Sequence, residues 1–152
     1  MERIQSFTVD HLKLLPGLYV SREDTLGGFT FTTYDLRFTR PNFEPVMNTA
    51  EIHTIEHLGA TYFRNFHSDK TMYFGPMGCR TGFYLILKGK ADIEETKKEV
   101  ISCMKWIAGY EGEIPGASPV ECGNYLDLNL SMAKFYAKKY LAILGKNKGE
   151  EK

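Results

Sequence analysis

The run Gly28-Phe29-Thr30-Phe31-Thr32-Thr33-Tyr34-Asp35-Leu36-Arg37-Phe38, halted by Arg40-Pro41-Asn42, constrains the fold more than any other stretch of the chain. Its aromatic and β-branched residues suit a pleated, half-buried surface, so it reads as a strand. A strand needs partners. Gly82-Phe83-Tyr84-Leu85-Ile86-Leu87, bounded by Gly78 and by Lys88-Gly89-Lys90, reads as a second strand, and Thr71 to Phe74 as a short third. Three helix starts accompany them. Asn48 with Glu51 has capping-box spacing and opens a helix to about Phe66. Asp92 with Glu95 opens another to about Tyr110, along which Ile93, Val100, Ile101, Met104 and Ile107 recur at helical spacing. Ser118-Pro119-Val120-Glu121 combines a capping Ser, Pro at the first helical position and Glu at the third, and predicts a helix to about Leu144. Strands and helices mixed without βαβ alternation indicate an α+β domain, with a small antiparallel sheet and helices packed on one face.

A length of 152 residues fits one domain, taken here as residues 1–145, with a polar tail at 146–152 that is expected to fray. Nineteen basic residues balance nineteen acidic ones, so no global field draws in nucleic acid or an anionic membrane. No apolar run approaches the ~18–20 residues of a membrane span, and the N-terminus lacks a basic stretch followed by an apolar one, which predicts a cytoplasmic protein. Cys79, Cys103 and Cys122 are odd in number and widely spaced, as suits reduced thiols with catalytic or metal roles.

His53-Thr54-Ile55-Glu56-His57 sets two imidazoles one helical turn apart, where they can grip one metal ion. On a helical projection His53, His57, Ala60 and Arg64 share one stripe, while Ile52, Ile55, Gly59, Phe63 and Phe66 make a separate apolar one. Glu56 falls on the edge between them, where partial burial would make it a proton acceptor rather than a surface charge. A catalytic site of this kind needs a third protein ligand. Cys122, predicted in the first turn of its helix where the dipole favours a thiolate, is the first candidate, with His11 and His67 as competitors. Cys79 lies in Gly75-Pro76-Met77-Gly78-Cys79-Arg80-Thr81-Gly82, a Gly-rich turn beside a cationic Arg80 that suits a reactive thiol. Cys103, on the apolar helix of Ile101 and Met104, reads as a core thiol.

Five strings, taken together and in order, resemble the LuxS family, S-ribosylhomocysteine lyase. They are Ser6-Phe7-Thr8-Val9-Asp10-His11, Asp35-Leu36-Arg37-Phe38 with Pro41-Asn42, His53-Thr54-Ile55-Glu56-His57-Leu58, the Gly75–Gly82 turn, and Glu121-Cys122-Gly123-Asn124-Tyr125. The resemblance implies cleavage of S-ribosylhomocysteine to homocysteine and 4,5-dihydroxy-2,3-pentanedione, the precursor of autoinducer-2. It also implies a homodimer with sites at the subunit interface. Each site would hold a divalent metal, Fe²⁺ replaceable by Zn²⁺ or Co²⁺, on His53, His57 and Cys122. Cys79 and Glu56 would move protons, and Ser6, His11 and Arg37 would hold the ribose, the first two from the partner subunit. Arg64, farther along the helix, would address the amino-acid end. The chain departs from the family pattern at Tyr73, where many members have an acidic residue, and in a short stretch from Phe66 to Thr71. Two other readings compete. An inverted zinc peptidase would take Glu113 or Glu121 as third ligand and leave Cys79 and Cys122 idle; a metal-stabilised binding module would have a closed fourth ligand and no need of Cys79.

Overall fold

A computed structural model describes residues 1–146; the predicted tail lies, but for Lys146, outside the described residues. After a single 3-10 turn at Gln5–Phe7 the chain runs β1 (Gly17–Leu26), β2 (Phe29–Arg37), α1 (Thr49–Phe66), β3 (Thr71–Pro76), β4 (Gly82–Lys88), α2 (Ile93–Ala108) and α3 (Leu130–Lys146). The strands form one antiparallel sheet in the order β1-β2-β4-β3. The α+β architecture is therefore as expected from the sequence. One strand is an addition: β1, an edge strand rich in charge, pairs with β2 across Gly27-Gly28. Both glycines have positive φ (57° and 82°), the backbone that a two-residue hairpin turn requires.

Alternation along β2 and β4 decides which side is covered. Tyr34, Leu36, Phe83, Leu85 and Leu87 face the helices, where they meet Ile52, Ile55 and Phe63 of α1, Val100 and Met104 of α2, and Ala137, Tyr140 and Leu144 of α3. Phe38 stacks on Tyr140 with ring centroids 4.0 Å apart, and the Tyr140 hydroxyl donates to the Gly17 carbonyl at 2.8 Å, which ties α3 to the sheet edge. Cys103 is fully buried among these groups, and desolvation pushes its thiol up, so it stays protonated as a core residue. The opposite sheet face carries Phe31, Thr33, Asp35, Arg37, Tyr84 and Ile86 and receives none of the described helices. This face, not the helical one, presents the side chains that neighbour Cys79.

The helix starts at Asn48 and Asp92 form as predicted: the Asn48 N–H donates to Glu51 at 2.8 Å, and the Asp92 carboxylate accepts from the Glu95 N–H at 3.0 Å. The third does not. Ser118 and Glu121 do bond, the hydroxyl donating to the carboxylate at 2.6 Å, but only one turn follows before the chain leaves helical geometry. Gly123-Asn124 comes next, a pair with low helix propensity, and α3 starts at a second cap, where Asn129 Oδ1 accepts from the Met132 N–H at 3.0 Å. Cys122 is thus in an irregular segment, and the helix-dipole support expected for its thiolate does not apply.

Candidate active site

α1 carries the first part of the site. His53 and His57 lie one turn apart, their rings 4.6 Å between centroids, and the strand-free segment 113–129 folds back over them. His53 Nδ1 lies 2.9 Å from the Asp127 carbonyl and His57 Nδ1 lies 2.7 Å from the Pro115 carbonyl. A carbonyl can only accept, so each Nδ1 carries the proton and each Nε2 is left with its lone pair free for a metal. Cys122 Sγ is 3.4 Å from His53 Nε2, and one donor atom from each of His53, His57 and Cys122 lies within 4.8 Å of the others. A tetrahedral ion with ordinary metal–nitrogen and metal–sulfur bonds needs its N and S donors about 3.5 Å apart, so the three residues fit one divalent metal. The Asn124 N–H, 3.4 Å from Cys122 Sγ, supports the thiolate in place of a helix dipole. Of the competing third ligands, His67 faces Glu99 at 3.7 Å and His11 lies beside Cys79. Glu56 is half-buried on the same helix.

Gly116 completes this part. Its φ of +73° is a left-handed backbone, and a Cβ there would stand 3.2 Å from His57 Nδ1. Gly116→Ala should therefore shift the carbonyl that orients His57 and lower metal affinity by about 10–100-fold, the usual cost of losing an outer partner of a ligand. Competition with a chelator measures it, and an unchanged affinity would show that the His57 contact is dispensable.

The second part sits at the β3–β4 turn. Arg80 N–H donates to the Met77 carbonyl at 2.9 Å, closing a tight turn in which Arg80 itself adopts φ +61°, and Met47 and Phe38 donate to the Arg80 and Thr81 carbonyls. Cys79 is exposed at the tip. Its sulfur lies 3.9 Å from Arg37 Nη1 and 3.1 Å from Thr81 Oγ1. Arg37, only 3% exposed, is held by Asp35 through a two-point contact of 3.1 and 2.5 Å and donates to Thr81 Oγ1 at 2.7 Å. Burial holds the Asp35 carboxyl above its usual range, against the opposing pull of Arg37. Burial, helped by Asp35, likewise raises Tyr84, which keeps its phenol neutral. Ser6, His11, Arg37, Cys79 and Tyr84 line one cleft on the open sheet face, and His11 and Cys79 also line a neighbouring one with Asn42 and Glu44.

The chain thus brings together two groups, His53/His57/Cys122 and Ser6/His11/Arg37/Cys79, and none of the first lines the clefts of the second. Within the chain Ser6 and His11 share a cleft with Arg37 and Cys79. Arg64 belongs to neither group: its guanidinium donates to the Thr71 and Met72 carbonyls at 3.0 and 2.7 Å and covers the start of edge strand β3. Arg64→Ala should cost about 1 kcal/mol of stability and leave substrate affinity unchanged, as urea unfolding and a KM measurement would reveal. Tyr73 lies on the open face of β3, opposite Ile86, and the short stretch after Phe66 is a tight turn in which Lys70 and Thr71 donate to the His67 carbonyl. Asp35, Thr81, Tyr84 and the two orienting carbonyls escaped the sequence reading. The i, i+2 spacing of Asp35 and Arg37 was a usable signal, because it puts both on one strand face.

Comparison with known proteins gives a single answer. A family model described as S-ribosylhomocysteinase (LuxS) matches residues 4–151. An S-ribosylhomocysteine lyase of Finegoldia magna is 58% identical over 99% of this chain and 96% of its own length. One from Clostridium beijerinckii is 59% identical over 93% and 90%, and one from Borrelia garinii 52% identical over 99% and 97%.

Proposed function

The chain belongs to the S-ribosylhomocysteinase (LuxS) family, and on that premise we propose that it cleaves the thioether of S-ribosylhomocysteine to homocysteine and 4,5-dihydroxy-2,3-pentanedione, the autoinducer-2 precursor, as a cytoplasmic homodimer. Among the described residues no helix is long and apolar enough to cross a membrane. The observation that carries the reading is a three-donor His-His-Cys group in a chain that also holds an exposed cysteine beside a buried arginine. The peptidase alternative has no support in this arrangement: Cys122 completes the ligand group, and the Glu121 carboxylate is engaged by Ser118.

The chemistry sets the requirements. The sugar aldehyde is C1 and the sulfur is on C5, and a thioether leaves by β-elimination only when a carbonyl stands two carbons away, at C3. The carbonyl must therefore travel. A proton leaves C2 and one returns to C1; another leaves C3 and one returns to C2; loss of the C4 proton then expels the homocysteine sulfur from C5, the sulfur takes up a proton, and the C4 enol so formed loses its hydroxyl proton and gains one at C5 to give the dione. No net oxidation or hydration occurs, so the protein needs placed acids and bases and a means of stabilising negative charge on oxygen. A divalent metal held by His53, His57 and Cys122, Fe²⁺ in this reading and replaceable by Zn²⁺ or Co²⁺, supplies that stabilisation as a Lewis acid. Cys79, as thiolate, exchanges the early protons, and Glu56 the later ones, including the C4 proton. Ser6, His11 and Arg37 hold the ribose hydroxyls at the Cys79 cleft.

Two features support the homodimer. The metal group and the Cys79 cluster are separate within one chain, so a second copy is needed to face one with the other. The open sheet face and the N-terminal segment also expose Phe7, Val9, Leu12, Leu15, Leu26, Phe29, Met72 and Tyr73, an apolar surface that a second copy would cover. In this reading the whole Cys79 cluster of one subunit meets the metal group of the other. Incubation of the anaerobically purified, Fe²⁺- or Co²⁺-loaded protein with S-ribosylhomocysteine should release one free thiol per trapped dicarbonyl. Metal-loaded protein that releases neither product would overturn the assignment.

A further inference from the structure

We propose that Thr81 is a positioning residue that holds Cys79 as a thiolate, by a hydroxyl whose only proton is directed at the sulfur. The proposal deepens the reading of Cys79 as the early proton carrier and rests on it. Its ground is donor counting. Arg37 Nη1 can only donate, and it lies 2.7 Å from Thr81 Oγ1, so the hydroxyl oxygen accepts there. The single hydroxyl hydrogen then points away from Arg37, and Cys79 Sγ, 3.1 Å away, is within its reach; either atom of that pair could donate if the sulfur carried a proton, but a thiolate can only accept. A neutral thiol gains little from accepting such a bond, whereas a thiolate gains a charge-assisted one. Thr81 is only 4% exposed, so its hydroxyl approaches the exposed Cys79 from the buried side of the turn.

The guanidinium alone cannot do this. Arg37 Nη1 stands 3.9 Å from the sulfur, outside the range of a strong hydrogen bond, and two of its other nitrogens are occupied by Asp35. Thr81 bridges that gap, because a hydroxyl polarised by a cation behind it is a better donor in front. The other titratable groups lining its two clefts are Tyr84 from β4, His11 from the N-terminal segment and Glu44 from the loop before α1, and none of them has a hydrogen bond to the sulfur among the described residues. β2–β4 register sets the arrangement: Arg37 pairs with Gly82, which leaves the Arg37 side chain free to reach back over Thr81.

The test is the pH profile of Cys79 alkylation by iodoacetamide in the metal-loaded protein, read as the adduct on the Cys79 peptide by mass spectrometry. Thr81→Val keeps the shape and removes the hydroxyl; Thr81→Ala removes it without crowding, should Val disturb the turn. A hydrogen bond to a charged group is worth about 1.5–3 kcal/mol, so either variant should move the profile up by about one to two pH units and cut alkylation below the midpoint by about ten- to a hundredfold. Thr81→Ser should restore the wild-type profile. A merely structural role would lower stability without moving the profile. Profiles of Val or Ala that superimpose on the wild type would overturn the proposal. Alkylation uses no substrate, so a protein that shows the shift yet does not cleave S-ribosylhomocysteine would contradict the lyase reading and leave the role of Thr81 standing.

Discussion

Cys79→Ala should lower thiol release from S-ribosylhomocysteine by at least about 10³-fold, because in this reading Cys79 carries the early protons while His11, the imidazole of the same cleft, holds a ribose hydroxyl. Tyr84 is held neutral by burial, and the Arg37 guanidinium cannot be deprotonated. The expected phenotype is specific. Cys79 is exposed at a turn held by backbone hydrogen bonds, so the variant should keep its thermal midpoint and its metal while losing turnover. Solvent deuterium locates the block: in D₂O the wild type should exchange the C2 hydrogen of the substrate, and Cys79→Ala should not. Glu56→Gln should fall by a similar factor yet still exchange C2, since its task comes later. Retained turnover in Cys79→Ala, or loss of C2 exchange in Glu56→Gln alone, would reverse this division of labour between the two residues.

Loss of a metal ligand should have the other large effect. Cys122→Ser and His57→Ala each leave two donors where the site needs three, so both should purify with little metal and with activity near background, and chelation of the wild type should do the same. Stability should move with it. The three donors come from α1 and from the irregular segment before α3, and a metal bound at ~100 times its dissociation constant would add about 2.7 kcal/mol to folding. The melting midpoint should therefore fall on chelation and recover when Fe²⁺ or Co²⁺ is restored. A chelated protein with an unchanged midpoint and full activity would show that the His-His-Cys group holds nothing the reaction needs.

Local signals made the centre of the fold legible and its margins less so. β2 and β4 carry β-branched and aromatic residues because they lie inside the sheet, and α1 and α2 announce themselves by caps and apolar stripes. β1 is an edge strand whose Ser21-Arg22-Glu23-Asp24 stretch lies on the exposed rim, so it lacks the apolar alternation of a buried strand. Only Gly27-Gly28 betrayed it. The helix expected from Ser118 failed because a correct capping box opens one turn but cannot carry a helix through Gly123-Asn124, whose backbone instead delivers Cys122 and the Asp127 carbonyl to His53. The metal ligands were visible because two of them share a helix turn. The surroundings of Cys79 were less so, since Tyr84 and the Asp35-held Arg37 reach its cleft through strand pairing rather than through spacing from Cys79 along the chain.

In the proposed dimer, one lyase site is built from the metal group of one subunit and the Cys79 cluster of another. Co-expression of Cys79→Ala with Glu56→Gln tests it directly. Each variant alone should be nearly inactive. If the claim holds, roughly half of the dimers formed are mixed, each mixed dimer regains one site with both Cys79 and Glu56 intact, and thiol release returns to about a quarter of wild type. If each chain builds its own complete site, every site in the mixture lacks one of the two residues, and no activity returns.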